Sequence, residues 1–128
     1  MIQTQSLVKV IDNSGAKSAK CIKVKSKSGR GVAYLGDIIV LSIQSLKPRF
    51  GRQDKLKINK SDIFLGVVVQ TRSINLFPQS YSLSFGENAV VLLNSNKKVL
   101  GTRISSVLPR ALRSMKWAKL ATMSKALI

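Results

Sequence analysis

The stretch Ser6–Lys25 constrains the fold most. Val8 and Val10 fall on one side of an extended chain and Lys9 on the other. Ile22 and Val24 repeat the alternation, with Lys23 and Lys25 turned outward. A period of two in β-branched and basic residues describes a strand with one buried face and one charged face. Between the runs, Asp12-Asn13-Ser14 offers short polar side chains that bond the local backbone, and Gly15 tolerates positive φ, so the chain reverses here. The expectation is a β-hairpin whose outer positions are nearly all lysine.

Further short apolar runs follow at the same density. Val32-Ala33-Tyr34-Leu35 leads into a Gly36-Asp37 turn, and Ile38–Ile43 is almost continuously apolar, as a central strand would be. Ile63–Thr71 is the most strongly β-forming run. Ser82–Phe85 and Ala89–Leu93 flank Gly86-Glu87-Asn88 and read as a second hairpin, with another turn at Asn94–Lys98. Arg72–Ser80 contains Pro78 and reads as a loop. Many short strands with frequent turns indicate a mainly β fold, a small closed or nearly closed barrel. The chain reads as a single domain over 1–128, with the barrel at about 1–108 and a helical part at about 109–128. In that last part Pro109 suits a first helical turn and no breaker follows to Trp117, so Leu112 and Met115 are expected to face the barrel. Arg110, Arg113, Lys116 and Lys119 would then wind round one helix as a basic band, drifting about 60° per step.

Charge decides the class of partner. Twenty-two Lys and Arg against five Asp and Glu give +17, while the 45% hydrophobic content still allows a folded core. Self-repulsion on that scale calls for a polyanion, and nucleic acid is the usual partner of a compact basic domain. Two cationic excursions lie outside the strands: Ser26–Gly31, which carries Arg30, and Leu46–Asp62, which opens with Lys47, Arg49 and Arg52. Phe50, set among those cations, has two readings, stacking on a base or sugar, or pinning the excursion to the core. Arg72 heads the Pro78 loop and joins the same set of candidates.

Catalysis lacks its materials. There is no His, and Asp12, Asp37, Asp54, Asp62 and Glu87 each lie in or beside an expected turn, no two sharing a motif. Paired carboxylates for acid–base work and clustered oxygen ligands for magnesium are therefore missing. With Cys21 as the one cysteine, zinc ribbons and internal disulfides are excluded too, and Cys21 itself reads as a small core or edge residue. No cofactor or metal is expected. No apolar run reaches membrane-spanning length, and Met1–Gln5 lacks the layout of a leader, so a soluble protein without a membrane partner is expected. Aromatic residues are few, which makes base stacking secondary to contact with RNA backbone and shape.

The residues also resemble a known family. Asp12-Asn13-Ser14-Gly15-Ala16-Lys17, Cys21-Ile22-Lys23-Val24, Gly36-Asp37-Ile38-Ile39, Pro48-Arg49 and Gly66-Val67-Val68-Val69 match it in order. So do Phe85 with Asn88, Val91-Leu92-Leu93-Asn94, Gly101-Thr102-Arg103-Ile104, and Arg110 with Leu112-Arg113. Over its whole length the chain resembles the universal large-subunit ribosomal proteins numbered fourteen. The resemblance implies a five-stranded β-barrel with a short C-terminal helical region, bound to large-subunit ribosomal RNA. It implies a place at the subunit interface, a bridge to small-subunit RNA, neighbouring ribosomal proteins, and a surface that receives a ribosome-silencing factor. Matched residue by residue, Lys17, Arg49, Arg103, Arg110 and Arg113 are implied as RNA contacts, and Asn13, Gly15 and Gly101 as backbone-shaping positions. Lys23, Lys25, Arg30, Lys47, Arg52, Arg72, Lys116 and Lys119 complete the RNA-binding set from charge and placement. A free-standing architectural nucleic-acid-binding barrel is the alternative function.

Three departures stand out. Leu76-Phe77-Pro78-Gln79-Ser80 replaces two arginines and an Asp-Gly turn, Ala111 replaces a glutamate, and Lys25-Ser26-Lys27-Ser28 replaces a Gly-Gly-Ser loop. Such drift without an N-terminal extension implies an organelle-encoded chain on a mitochondrial matrix ribosome, with a plastid or a bacterial cytoplasm as alternatives.

Overall fold

A computed structural model describes residues 1–25, 31–48 and 58–128. Five strands close a barrel in the order β1 (Leu7–Val10), β2 (Ala16–Val24), β3 (Ile38–Leu46), β4 (Ile63–Gln70) and β7 (Ala89–Leu93). Each strand runs antiparallel to the one before. An odd number of such strands leaves the last running the same way as the first, so the seam between β1 and β7 is parallel, with Lys9 opposite Ala89 and Val10 opposite Val90.

So small a barrel needs strong bending, and the β2–β3 pair supplies it through register shifts around Ser18 and between Cys21 and Lys23. The second shift corrects the expected alternation. Cys21 and Val24 are buried, whereas Ile22 is 42% exposed beside the outward Lys23.

The interior is filled by Val8, Val10, Ala19, Cys21, Ile39, Leu41, Ile43, Val68, Val90 and Leu92. A second cluster lies on the outer side of β4 and β7, where Val67, Val69, Val91 and Leu93 meet Leu108, Leu112, Leu120 and Trp117. These two strands are covered on both faces, which is why their sequences are continuously apolar rather than alternating.

The expected second hairpin is corrected. Both edges of β7 are taken, by β4 and β1, so Ser82–Leu83 (β6) pairs instead with Asn75–Leu76 (β5), inside the stretch expected as a loop. Phe77 N–H donates to Tyr81 O at 3.0 Å, and Ser80 closes the turn at φ 62. A serine in this left-handed position hides a turn usually announced by glycine.

The C-terminal helix is corrected as well. Arg110–Arg113 forms one 3-10 turn and α1 spans only Ala118–Met123. Between them Lys116 adopts φ 69, and Trp117 N–H donates to Leu112 O at 3.1 Å. This is the closure of a Schellman motif, with lysine in the place glycine normally holds and with Leu112 and Trp117 as its apolar pair. Leu112 is fully buried, as expected, while Met115 is 39% exposed. Met115 nevertheless lies across the barrel's Gly36 turn, its Sδ 2.9 Å from where a β-carbon would stand on that glycine. The Trp117 indole N–H donates to Gly36 O at 3.0 Å and fixes the segment there. The chain end returns to form a parallel pair, β8 (Val107–Leu108) with β9 (Ala126–Leu127).

Candidate nucleic-acid interface

The corner after β1 is built around a buried carboxylate. Asp12 is 1% exposed. One oxygen accepts Ser14 N–H at 3.1 Å and the Ser14 hydroxyl, and the other accepts Leu92 N–H at 3.0 Å. The side chain thus ties the turn to β7, prolonging the parallel β1–β7 seam beyond Val10 and Val90. Asn13 Oδ1 accepts the N–H groups of Thr102 and Arg103 at 2.8 and 3.2 Å, and its amide donates to Thr102 Oγ1 at 2.8 Å. Gly101 passes so close that a β-carbon there would stand 2.7 Å from Asn13 Oδ1. Gly15 takes φ +105, where glycine costs least. Among the described residues no buried side-chain nitrogen or oxygen lacks a partner.

Cations ring this corner. The Lys47 ammonium donates to Asp12 O at 2.8 Å. Lys47, Arg103 and Lys125 line one depression with Asn13 and Ser105. Lys125 was no candidate from sequence, because only the parallel return of β9 brings the chain end back to this corner.

A second group lies on the β1–β2 face. Lys9, Lys17 and Arg72 line a shared depression whose one acid, Glu87, sits 2.8 Å from the Lys9 ammonium. Between described residues this is the one salt bridge, and it is exposed on both sides, so it contributes little to stability. Asn88 Oδ1 accepts Arg72 N–H at 3.0 Å, and Arg72 O accepts the Ser84 hydroxyl at 2.8 Å, which positions Arg72 from the backbone. Lys20 and Lys23 point outward along β2 and Lys25 follows its end, all exposed.

The third group belongs to the C-terminal segment. In a 3-10 turn residues three apart eclipse, so Arg110 and Arg113 share one face rather than drifting apart. Both arginines line a groove together with Phe77, Tyr81 and Met115. Lys116, at the chain reversal, and Lys119, beyond it, are exposed and do not continue a single helical band. The other expected contacts, Arg30, Arg49 and Arg52, lie outside the described residues, as does Phe50.

Cys21 is enclosed in the barrel. Burial pushes its thiol above the ordinary value, outweighing the Lys23 N–H that bonds the sulfur and favours the thiolate. Among the described residues the exposed faces carry many more cations than acids, which suits them to hold an anionic chain. A family model described as ribosomal protein L14p/L23e matches residues 1–128, and the chain belongs to that family of structural, non-enzymatic constituents of the ribosome.

Proposed function

We propose that the protein binds large-subunit ribosomal RNA through its cationic faces and stands at the subunit interface, contributing to a bridge to small-subunit RNA. The observation that carries this reading is the charge: +17 overall, with Lys17, Lys23, Lys25, Lys47, Arg72, Arg103, Arg110, Arg113, Lys116 and Lys119 all exposed. Such a surface neutralises phosphates, while the barrel acts as a rigid spacer between RNA segments. Asn13, Gly15 and Gly101 shape the corner that carries Arg103. Neighbouring ribosomal proteins and a ribosome-silencing factor are further partners, supported by the family alone. The ribosome concerned is the mitochondrial one, a reading supported by the replaced 76–80 loop and by Ala111 and Lys25–Ser28.

Sedimentation of a native lysate at moderate salt tests the first part. Co-migration with large subunits that ribonuclease abolishes is the expected result. A peak at the top of the gradient would instead indicate a free-standing nucleic-acid-binding barrel. Fractionation tests the second part: recovery on cytoplasmic or plastid ribosomes would reject the mitochondrial assignment.

A further inference from the structure

The groove beside the 3-10 turn differs in chemistry from the other cationic surfaces. Its lining combines aromatic and apolar side chains, Phe77, Pro78, Tyr81 and Met115, with Arg110 and Arg113. No Asp or Glu side chain lines it, and Ile128, whose terminal carboxylate group accepts Arg110 N–H at 2.7 Å, is among its lining residues. Phe77 and Tyr81 are already stacked, with ring centroids 4.8 Å apart and an interplanar angle of 21°. Phe77 is packed against the second core cluster, which fixes the inner ring, while Tyr81 is 37% exposed and forms the outer one. The hairpin turn holds the pair through the bond from Phe77 N–H to Tyr81 O.

We propose that an unpaired RNA nucleotide docks in this groove, its base extending the Phe77–Tyr81 stack and its phosphates meeting Arg110 and Arg113. The inference rests on the RNA-binding reading above and adds a stacking contact to it. Charge complementarity calls for an anion, since two arginines line the groove against a single carboxylate, the one at the end of Ile128, and guanidinium forks fit phosphate oxygens. The nearly parallel aromatic pair calls for a planar partner, because an offset stack is extended best by another flat ring. An acidic peptide would satisfy the arginines but would gain less from the rings. The segment that replaces two family arginines thereby exchanges a charge contact for a stacking contact, and the cations come from across the groove.

The test compares two probes of equal charge: a short unstructured RNA of mixed sequence, and the same ribose–phosphate chain without bases. The intact RNA should bind about 5- to 150-fold more tightly. Tyr81→Leu should remove that ratio while leaving affinity for the baseless chain unchanged, and Tyr81→Phe should keep it. Should Tyr81→Leu fail to fold, Tyr81→Gln, which also removes the ring at this exposed position, is read in its place. Equal affinity for both probes overturns the stacking site and leaves the groove to a protein neighbour. Binding of neither probe at low salt overturns the RNA-binding reading together with it. A ratio that survives Tyr81→Leu in a folded protein places base recognition elsewhere and also overturns the proposal.

Discussion

Lys116 adopts φ 69 because the chain must turn back for Trp117 to reach Leu112 O and Gly36 O. An L-residue in that conformation costs on the order of 1–2 kcal/mol, and glycine avoids most of it. Lys116→Gly should therefore raise stability by about 1 kcal/mol, and Lys116→Val should lower it, in thermal denaturation of the free protein. A glycine variant no more stable than the parent would mean that the turn is not strained at Lys116. Lysine gives no hint of such a turn, so the break in the helix could not be read from sequence. Cys21 makes the second prediction at this scale. Burial raises its thiol above the ordinary 9.0, so the folded protein holds that proton more tightly than the unfolded chain. Its contribution to stability is whole below pH 9.0 and is lost as pH rises through the folded value. Stability of the parent should thus decline above that pH more steeply than that of Cys21→Ala. Iodoacetamide should also alkylate the native thiol more slowly than the denatured one at each pH tested.

At the scale of elements, the Asp12 corner fastens the first hairpin to β7 at the seam that closes the barrel. Removing its carboxylate leaves the N–H groups of Ser14 and Leu92 and the Ser14 hydroxyl without an acceptor in a buried place. Asp12→Ala should cost at least about 2–3 kcal/mol, read as a shift in denaturant midpoint. A loss below about 0.5 kcal/mol would show that water or a backbone shift replaces those bonds. The reversal at Asp12–Gly15 was legible in sequence, since short polar side chains and glycine advertise it. The bond from Asp12 to Leu92 was not, because nothing local to Asp12 specifies a partner 80 residues on. The five barrel strands were legible for a related reason, namely apolar runs of β-branched residues between clear turns. The β5–β6 hairpin was hidden by Pro78 and by a serine at its left-handed position. The pairing of β6 was misread because which edge of β7 is free depends on the closed barrel. Among the site residues, the outward placing of Lys23 was legible from alternation although the shift beside it turns Ile22 outward too, whereas the meeting of Lys47, Arg103 and Lys125 needed the tertiary fold.

For the whole molecule, one surplus of charge acts in opposite directions on the free and bound protein. A globule of 128 residues has a radius of gyration of about 14 Å. The screening length is about 10 Å at 0.1 M salt and about 30 Å at 0.01 M. At low salt every cation therefore feels the whole +17, whereas at physiological salt repulsion is confined to neighbours on one face. Raising salt from about 0.01 M to 0.15 M should accordingly raise the melting temperature of the RNA-free protein. The same change should weaken RNA binding, because each neutralised phosphate releases counterions. With about eight phosphate contacts, log affinity should fall against log salt with a slope of about −6 to −7. Arg110 and Arg113 provide the control, since both are exposed on the 3-10 turn and Leu112 between them anchors that turn. Arg110→Glu with Arg113→Glu should leave the melting temperature at physiological salt nearly unchanged. It should also make the slope shallower by about two, roughly one for each lost contact. An unaltered slope in the folded double variant would remove these two arginines from the phosphate contacts. A shallower slope that persists on the baseless ribose–phosphate chain would assign them to the backbone, with the base left to Tyr81.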